Sequence, residues 1–412
     1  MLESYLNSPV TRRRLRTGLA ADHIDAFADW LYIQGYRPTC INNLLRSFAG
    51  WTDWMLAMGF TAQDLLAGFE ACKLALKQKQ RVRYSRGPNH YSVTAASLFI
   101  RFLQHQGEIP LPATAPSASE LWPLLGAFRS WMRKHRGLTD TTLDAYERIL
   151  TGLLDALGDD VGDYSAETLR AFVLNRARPH GIHRAKSIVV AVRSFVRFLG
   201  VTGRCPPGME HAIPGFASWQ LASVPRFLVT EEIERVIDSC NDYLFGIRDR
   251  PVLLLLARLG LRASEVAQLK FADINWRNGS IILCGKARRQ ESLPLPQEVG
   301  DAILLYLNQG RPSLRVPEVF TSVLAPIRTL SRAAVTHIVR SALRRAGIKA
   351  PVNGAHVLRH SAATAMLRQG ASLAGVGAVL RHRSPMTTAH YAKVDFGLLS
   401  EIAQPWPEVS SC

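Results

Sequence analysis

The sequence predicts a mainly α-helical protein that carries one small β-sheet in its C-terminal half. Apolar residues recur at helical spacing along most of the chain, and Ile24 and Phe27 are an early example. By contrast, residues 279–284 and 292–296 are short apolar segments separated by a turn at 285–289, a pattern typical of paired strands. The 412 residues are too many for one hydrophobic core, so we expect several domains.

Two segments rich in proline and glycine divide the chain. Residues 110–119 contain prolines among small residues, and residues 203–224 combine prolines with glycines. Such composition is typical of extended linkers between domains. The predicted organisation is a helical N-terminal domain, a second helical domain, a third domain with the sheet, and a short tail, at residues 1–112, 117–205, 224–405 and 406–412.

The two helical domains resemble each other in sequence. Residues 27–30 (Phe-Ala-Asp-Trp) correspond to residues 128–131 (Phe-Arg-Ser-Trp), and residues 99–103 correspond to residues 195–199 at a similar offset. We therefore expect a duplicated helical bundle. The alternative is a chance similarity between amphipathic helices, and different helix orders in the two bundles would support that alternative.

A net charge of +17 and a sequence pI of about 10.0 favour a polyanionic partner. Nucleic acid is the first candidate, and an anionic membrane surface is the second. Arginine dominates the basic residues, and its planar guanidinium suits bidentate contacts to phosphate. The apolar run at residues 252–257 is far too short to cross a bilayer, and the arginine-rich start of the chain lacks the apolar core of a secretion signal.

Six cysteines are scattered singly along the chain, at positions 40, 72, 205, 240, 284 and 412. None forms a CxxC pair, so the sequence supports neither a zinc module nor a disulfide scaffold. This cysteine usage fits a reducing compartment, and we expect a cytoplasmic protein.

The third predicted domain begins with helices. Thr230 followed by two glutamates predicts a helix that Thr230 caps, since the acids suit the positive end of the helix dipole. Residues 252–259 predict a buried helix that ends at Gly260. The next helix begins beside Arg262, with Glu265 one turn later.

A set of polar residues in this domain has the composition of a phosphoryl-transfer site. Residues 380–391 end in Tyr391, whose phenol is a weak nucleophile because its ordinary pKa is about 10. It becomes effective only where cations hold the phosphate under attack and a proton reaches the leaving group. Three upstream stretches supply such groups: Leu259-Gly260-Leu261-Arg262-Ala263-Ser264-Glu265, Gly285-Lys286, and His356-Val357-Leu358-Arg359-His360.

These four stretches, in this order over residues 224–394, resemble the tyrosine recombinase family of phage integrases, chromosome dimer resolvases and transposon recombinases. The spacing from Arg262 to Lys286 and from His382 to Tyr391 is similar to the family pattern. The resemblance implies a tyrosine recombinase catalytic domain preceded by helical DNA-binding domains, the second of which is the SAM-like core-binding domain. It also implies that the domains form a C-shaped clamp around the duplex.

The resemblance implies a role for each motif residue. Two arginines would grip the non-bridging oxygens of the scissile phosphate, two histidines would donate to it or handle protons, a lysine would protonate the leaving 5′ oxygen, and the tyrosine would attack. In this chain the catalytic residues would be Arg262, Lys286, His356, Arg359, His382 and Tyr391, with Glu265 orienting its neighbours and His360 buttressing the site.

His356 and His360 are also spaced one helical turn apart, as ligands in some zinc sites are. The HExxH glutamate is missing and no third ligand is evident, so we expect neither a metal nor another cofactor. The chain departs from the family pattern at three positions. The family usually has glycine where Arg381 stands, often glycine where Ala287 stands, and often a basic residue where Glu291 stands. The arginine would add a contact or alter its loop, and the other departures affect the hairpin's detailed DNA contacts.

Basic residues outside these motifs are candidates for DNA contact. They lie on one side of predicted helices or in the hairpin turn, and a solvated helix face is the competing interpretation. The candidates are Arg184, Lys186, Arg193, Arg197, Arg288, Arg289, Arg340 and Arg344.

The sequence therefore predicts a site-specific recombinase or integrase that cuts and rejoins DNA through a 3′-phosphotyrosyl intermediate. Its partner would be double-stranded DNA with specific recombination sites, and the protein would be associated with the nucleoid. The apolar segment at residues 396–402 resembles family tails that dock into a neighbouring protomer, which implies a homo- or hetero-tetramer on DNA. The N-terminal domain, as a further DNA clamp or a module for protomer contacts, favours a mobile-element recombinase over a minimal dimer resolvase.

Two other functions share these features. A type IB topoisomerase would use the same chemistry to relax DNA without exchanging strands between partners. A recombinase-derived accessory protein would bind DNA without cleaving it. The two-linker architecture favours recombination over the first alternative, and the filled catalytic positions argue against the second.

Overall fold

The computed structural model describes residues 2–78, 89–110, 116–217, 225–284, 290–352, 354–382 and 384–394. Their secondary structure is mainly helical with a three-stranded sheet, which confirms the predicted fold class. By internal contacts the chain divides into two compact units, Met1–Glu108 with Ser223–Cys412, and Ile109–Ala222. The finer domain boundaries stay a prediction.

The N-terminal helices form a bundle within the first unit. Aromatic side chains fill its centre, where Phe27, Phe48 and Phe99 are fully buried, so the aromatic residues of this region pack a core. The helices are α1 (Pro9–Thr17), α2 (Ile24–Ile33), α3 (Pro38–Ala57), α4 (Leu65–Gln78) and α5 (His90–Gln106), with 3-10 turns at Leu2–Ser4 and Ala62–Asp64.

The second unit is a bundle of its own. The Ser117 side chain caps its first helix by accepting the N–H of Glu120, whose carboxylate accepts the N–H of Ser117 in return. Val189, Val192 and Val196 are buried on the apolar side of its last helix, as their spacing predicts. The helices are α6 (Ala118–Leu121), α7 (Pro123–Arg136), α8 (Asp140–Leu157), α9 (Ala166–Ala177) and α10 (Ile182–Val201), with 3-10 turns at Val161–Asp163 and Met209–Ala212.

The two bundles share one order of elements. In each, two helices precede a 3-10 turn and two more follow it, α2 to α5 in the first and α7 to α10 in the second. In the first bundle the ring centroids of Phe27 and Phe99 lie 5.1 Å apart at an interplanar angle of 83°. Those of Trp30 and Phe102 lie 5.9 Å apart at 56°.

The corresponding rings of the second bundle repeat this geometry. Phe128 and Phe195 lie 5.4 Å apart at 87°, and Trp131 and Phe198 lie 5.7 Å apart at 53°. The four aromatic positions that match in sequence therefore make the same contacts in both bundles. This correspondence supports the predicted duplication.

The predicted DNA-binding residues of α10 have different surroundings. Arg184 is exposed and Lys186 is half-buried. Arg193 donates to a backbone carbonyl oxygen at 2.6 Å, and Arg197 donates to Glu210 at 3.3 Å. The last two arginines therefore hold the segment after α10 against the bundle, and the contact of all four residues with DNA stays a prediction.

Most of the remaining elements of the first unit surround a separate hydrophobic core, and the last helices pack around a smaller cluster that includes Leu367, Val376 and Tyr391. The strands β1 (Ile274–Asn275), β2 (Ser280–Cys284) and β3 (Gln290–Pro294) form an antiparallel sheet in that order. The helices are α11 (Thr230–Asp238), α12 (Gly246–Arg258), α13 (Ala263–Gln268), α14 (Gln297–Leu305), α15 (Arg332–Arg345), α16 (His356–Arg368), α17 (Leu373–Val379) and α18 (Pro385–Ala389), with a π-helical turn at Tyr306–Gly310 and 3-10 turns at Phe271–Asp273 and His390–Val394.

Several element boundaries differ from the sequence-based expectation, and two of these differences involve the N-cap of a helix. Strand β3 ends at Pro294 rather than at residue 296, because Pro296 is already the N-cap of α14. Thr230 is the first residue of α11 and not its cap. Val229 is the N-cap, since the Glu232 carboxylate accepts the Val229 N–H at 3.1 Å.

The N-terminal bundle contacts the third predicted domain through the backbone. The N–H of Ile327 donates to the carbonyl oxygen of Gln34 at 3.1 Å. Beside this contact lies a cleft of about 1380 Å³, lined by residues of both parts that include Arg37, Trp54 and Leu324. Throughout the described residues, every helix is too short or too polar to cross a lipid bilayer.

The repeated rings predict matched effects on stability. Truncating Phe99 or Phe195 to alanine removes a fully buried ring from one bundle, so each variant should lose about 3–5 kcal/mol of unfolding free energy. Val190→Ala, on the exposed side of α10, should change it by less than about 0.5 kcal/mol. Denaturant unfolding followed by circular dichroism measures all three. A phenylalanine variant as stable as the wild type would contradict the described core.

Candidate active site

Five of the six predicted catalytic residues lie in the described part of the chain, and the structure gathers them in one region of the first unit. They come from the start of α13, the start of α16 and the segment after α17. The sixth, Lys286, lies outside the described residues together with Arg288 and Arg289 of the same sequence motif. The five are Arg262, His356, Arg359, His382 and Tyr391.

Arg359 is the buried centre of this region. Only 3% of its surface is exposed, and its two terminal nitrogens donate to the carbonyl oxygens of Gly260 and Leu380. Burial and the neighbouring Arg262 guanidinium lower the pKa of Arg359 to about 10, so it stays charged at neutral pH. A buried cation whose hydrogen-bond partners are neutral carbonyls is incompletely compensated, and it therefore favours an anion in the adjacent space.

The turn before Arg262 requires glycine. Gly260 has a φ of +59°, and a Cβ at this position would lie 2.5 Å from Cδ2 of Leu380. The turn presents the Gly260 carbonyl to Arg359 and leads to Arg262 two residues later. The Gly-Leu-Arg order of the motif therefore has a direct structural cause.

Glu265 joins two arginines. One carboxylate oxygen accepts from Nη1 of Arg262 at 2.6 Å, and the other accepts from the Arg262 backbone N–H at 2.7 Å and from Nη2 of Arg381 at 2.6 Å. Burial alone would raise the pKa of Glu265, but the hydrogen bond from the Arg262 backbone and the charges of both arginines hold it below its ordinary value. The charged carboxylate is in position to orient Arg262, the role that the resemblance implies.

Arg381 adopts a left-handed backbone conformation, with a φ of +55°. A side chain costs about 1–2 kcal/mol in this region and glycine avoids that cost, which accounts for the glycine that the family usually has here. The Arg381 side chain is only 3% exposed and is paired with Glu265, while its carbonyl oxygen accepts from Nη2 of Arg262 at 3.4 Å. The arginine thus adds both a backbone and a side-chain contact to the site.

His382 is held by a threonine that the sequence motifs do not single out. Its Nδ1 lies 2.8 Å from the hydroxyl oxygen of Thr388. Thr388 packs closely against Gly377, since a Cβ added at residue 377 would lie 2.9 Å from the Thr388 hydroxyl oxygen. Burial, then the charges of Arg359 and Arg262, lower the pKa of His382 to about 4, so the ring is neutral at pH 7. When the threonine donates to Nδ1, the ring proton is on Nε2, which can then donate to a phosphate oxygen.

Tyr391 is the buried phenol of the site, with 3% of its surface exposed. Its hydroxyl lies 2.8 Å from Nδ1 of His360, and its ring is stacked at 5° to the ring of His382 with 6.3 Å between centroids. Burial raises the pKa of Tyr391, and the charge of Arg359 opposes that shift. The phenol is therefore protonated at neutral pH and needs the surrounding groups to become a nucleophile.

The charges of this region do not balance. Among the described residues, the guanidinium groups of Arg262, Arg359 and Arg381 face the carboxylate of Glu265, and the charge of Glu291 also acts on Arg381. Three positive charges against two negative ones leave an excess of positive charge. His356 is exposed at the start of α16, and its ring centroid lies 4.8 Å from that of His360. The arrangement can bind a phosphodiester anion beside a phenol.

The predicted DNA-binding residues of α15 lie on its outer face. Arg340 and Arg344 are exposed, and their contact with DNA stays a prediction. Arg345 points inward instead, where it stacks 3.9 Å from the ring centroid of Tyr243 and donates to the Ser239 carbonyl. In the part of the chain that the structure describes, no group of three histidine, cysteine or acidic side chains could hold a metal ion.

The known proteins that this chain resembles in sequence are integrases and recombinases by name. A model described as the phage integrase family matches residues 226–397. The chain is 35% identical to y4rA of Sinorhizobium fredii (strain NBRC 101917 / NGR234), whose name describes an integrase or recombinase, over 98% of this chain and 99% of that protein. It is 28% identical to the tyrosine recombinase XerD of Listeria innocua, over 66% of this chain and 94% of that protein.

Solved structures share the fold. The XerH site-specific recombinase bound to a palindromic difH substrate matches with a TM-score of 0.58 and 18% identity, over 73% of this chain and 99% of that chain. The lambda integrase tetramer bound to a Holliday junction matches with a TM-score of 0.53 and 16% identity, over 81% of this chain and 93% of that chain. At these identities the likeness is one of fold.

The left-handed backbone at residue 381 predicts that a glycine variant is more stable toward unfolding than an alanine variant. Arg381→Ala loses the pair with Glu265 and keeps the left-handed φ, whereas Arg381→Gly loses the pair but removes the strain. The glycine variant should therefore be the more stable of the two by about 1 kcal/mol. Urea unfolding of both variants measures the difference. An alanine variant at least as stable as the glycine variant would show that residue 381 does not adopt this conformation.

The neutral imidazoles predict a pH-dependent stability. Burial lowers the pKa of His360 and of His382 to about 4, whereas the ordinary value is 6.5. Between these values the unfolded chain binds more protons, so stability is lost as the pH falls from 6.5 to about 4. The urea midpoint should be lower at pH 5 than at pH 7, and His382→Asn should reduce that difference. An unchanged difference in the variant would mean that His382 is not buried as a neutral ring.

Proposed function

The chain belongs to the tyrosine recombinase family, and from this premise we propose that it cuts and rejoins DNA at specific sites through a covalent 3′-phosphotyrosyl intermediate. Membership of the family makes the protein an enzyme of the tyrosine recombinase class. The observation that carries the proposal is the buried phenol of Tyr391 beside a region with excess positive charge.

The proposed reaction has two transfers. In the first, the Tyr391 oxygen bonds to the scissile phosphorus and the bond from phosphorus to the 5′ oxygen breaks, which leaves a 3′-phosphotyrosyl ester and a free 5′ hydroxyl. In the second, the 5′ hydroxyl of another strand attacks that ester and releases the tyrosine. Because the ester conserves the energy of the broken bond, strand joining requires no ATP. The arginines supply positive charge at the reacting phosphate.

Arg262 and Arg359 would stabilise the charge that grows on the non-bridging oxygens. Arg359 is fixed before substrate arrives by its two carbonyl partners, and Arg262 is fixed by Glu265. Donors that are already oriented in a buried site lose little energy to reorganisation during the reaction. His382, oriented by Thr388, would donate from Nε2 to the same phosphate.

Lys286 is the proposed general acid, on the strength of the family resemblance. The lysine lies in the sequence between β2 and β3, which pair in register up to Cys284 and Gln290. That pairing supports a hairpin position for the lysine, from which its ammonium would protonate the leaving 5′ oxygen.

We infer that the substrate is double-stranded DNA with specific recombination sites. The net charge of +17 and the exposed arginines of α10 and α15 support a phosphate-rich partner. The likeness to the tetrameric lambda integrase supports assembly as a homo- or hetero-tetramer on that DNA. The apolar segment at residues 396–402, which lies outside the described residues, is the proposed contact between protomers. We expect this assembly in the cytoplasm, at the nucleoid.

The N-terminal bundle is proposed to contact protomers rather than to grip DNA. It keeps the aromatic positions of the second bundle but not the basic ones. Of the four basic positions of α10, only Arg197 has an arginine counterpart, Arg101; the other three correspond to Pro88, His90 and Ser97. An added module of this kind supports a role in the movement of a mobile element.

Covalent trapping tests the proposed function. The protein is mixed with a duplex that is selected from a randomised library by binding and nicked beside the cleavage position. The nick lets the short 5′-hydroxyl strand leave, so the wild type should accumulate a protein–DNA adduct on a denaturing gel. Tyr391→Phe should give none, whereas Tyr91→Phe, which alters an exposed tyrosine, should retain it. An adduct that persists in Tyr391→Phe rejects Tyr391 as the nucleophile.

The same material separates the alternative functions. Relaxation of supercoiled plasmids that lack the selected site would favour a type IB topoisomerase. Binding of the selected site without cleavage, even with partner recombinases added, would favour an accessory DNA-binding protein.

A further inference from the structure

The Tyr391 hydroxyl already contacts a group that can accept its proton. Within the described residues its hydrogen-bond partner is Nδ1 of His360, at 2.8 Å. His360 follows Arg359 on α16, so the arginine that binds the phosphate and the imidazole that contacts the phenol share one rigid element. The phenol must lose its proton as its oxygen bonds to phosphorus, and efficient transfer requires a base within hydrogen-bond distance.

The surroundings of His360 keep its ring uncharged. The rings of His356 and His390 lie 4.8 and 6.4 Å away, centroid to centroid. Burial, followed by unfavourable interactions of a protonated ring with these histidines, Arg359 and His382, lowers the pKa of His360 to about 4. The neutral ring has a lone pair on Nδ1 when its proton is on Nε2, and that lone pair accepts the hydrogen bond from Tyr391.

Binding of the DNA substrate would make the His360 imidazole a stronger base. In the free protein the cationic surroundings make the imidazole a weak base, and the phenol stays protonated. A phosphodiester bound by Arg262 and Arg359 adds negative charge beside the ring, which raises the affinity of the imidazole for a proton. The phenol becomes more acidic as its oxygen bonds to phosphorus, so proton transfer becomes favourable during the attack.

We propose, on the basis of the proposed function, that His360 is the general base of the cleavage step. Its Nδ1 takes the hydroxyl proton of Tyr391 while the bond from the tyrosine oxygen to phosphorus forms. The bond from phosphorus to the 5′ oxygen breaks, and that oxygen takes a proton from the general acid. In the rejoining step the imidazolium returns its proton to Tyr391 as the ester breaks. This role goes beyond the buttressing role that the sequence predicts.

His360→Asn separates proton transfer from positioning. The asparagine carbonyl can occupy a position near that of Nδ1 and accept the hydrogen bond from Tyr391, but it cannot take the proton. Cleavage is measured under single-turnover conditions from pH 6 to pH 10 on the nicked duplex, with sulfur in place of the bridging 5′ oxygen. The thiolate leaves without a general acid, so the pH profile reports on the base.

The two enzymes should have different pH profiles. The wild-type rate should be constant through neutral pH. The His360→Asn rate should be about 10²–10⁴-fold lower at pH 7 and should rise about tenfold per pH unit, because the reaction then depends on the small fraction of ionised phenol. His390→Asn is the matched control, since the His390 ring is 6.0 Å from that of Tyr391 but does not accept its hydrogen bond. Its rate should stay constant through neutral pH, as in the wild type, even if its magnitude changes with the basicity of His360.

A second variant covers the case in which His360→Asn folds poorly. His360→Ala should regain activity when imidazole is added, in proportion to the neutral imidazole present. His360→Asn with the wild-type rate and profile, or His360→Ala without any response to imidazole, would overturn the assignment of the base. A wild-type protein that forms no adduct on any selected duplex would instead reject the proposed function.

Discussion

The Arg359 guanidinium links three segments that are far apart in the sequence. It belongs to α16, and its carbonyl acceptors belong to the Gly260 turn and to Leu380 after α17. A buried charge that loses its partners destabilises a protein strongly, so these contacts constrain all three segments. The first turn leads to Arg262 and the second leads to His382. One buried cation therefore fixes the backbone from which both proposed phosphate ligands extend.

The site divides its chemistry between two residue types. Its arginines provide an excess of positive charge that the carboxylates of Glu265 and Glu291 only partly offset. Its buried imidazoles are neutral, because burial and the arginines disfavour a further positive charge. In the proposed reaction, arginine would therefore supply the charge that binds the phosphate, while the neutral histidines would donate and accept protons. The chain belongs to the tyrosine recombinase family, and strand transfer requires both charge stabilisation and proton transfer at one phosphorus.

Much of this arrangement follows from local patterns. Helical periodicity predicts the buried side of α10, and two short apolar segments on either side of a predicted turn predict strands β2 and β3. The order of the motifs predicts which polar side chains lie in one region of the fold. The contacts of Arg381 with Glu265 and of Thr388 with His382 could not be predicted in this way, because the first joins distant segments through a left-handed turn and the second depends on close packing. Arg193 shows a further limit: a charge pattern places it on a helix face but does not distinguish DNA from a nearby carbonyl.

The most direct test of the convergence at Tyr391 is a crystal structure with orthovanadate and two DNA oligonucleotides that abut at the cleavage position. Vanadate should bond to the Tyr391 oxygen and adopt the geometry of a phosphate under attack. Nitrogens of Arg262 and Arg359 should lie within hydrogen-bond distance of its non-bridging oxygens, and Nδ1 of His360 should lie within hydrogen-bond distance of the Tyr391 oxygen. Vanadate bound away from Tyr391, or held there with both arginines directed elsewhere, would contradict the proposed site.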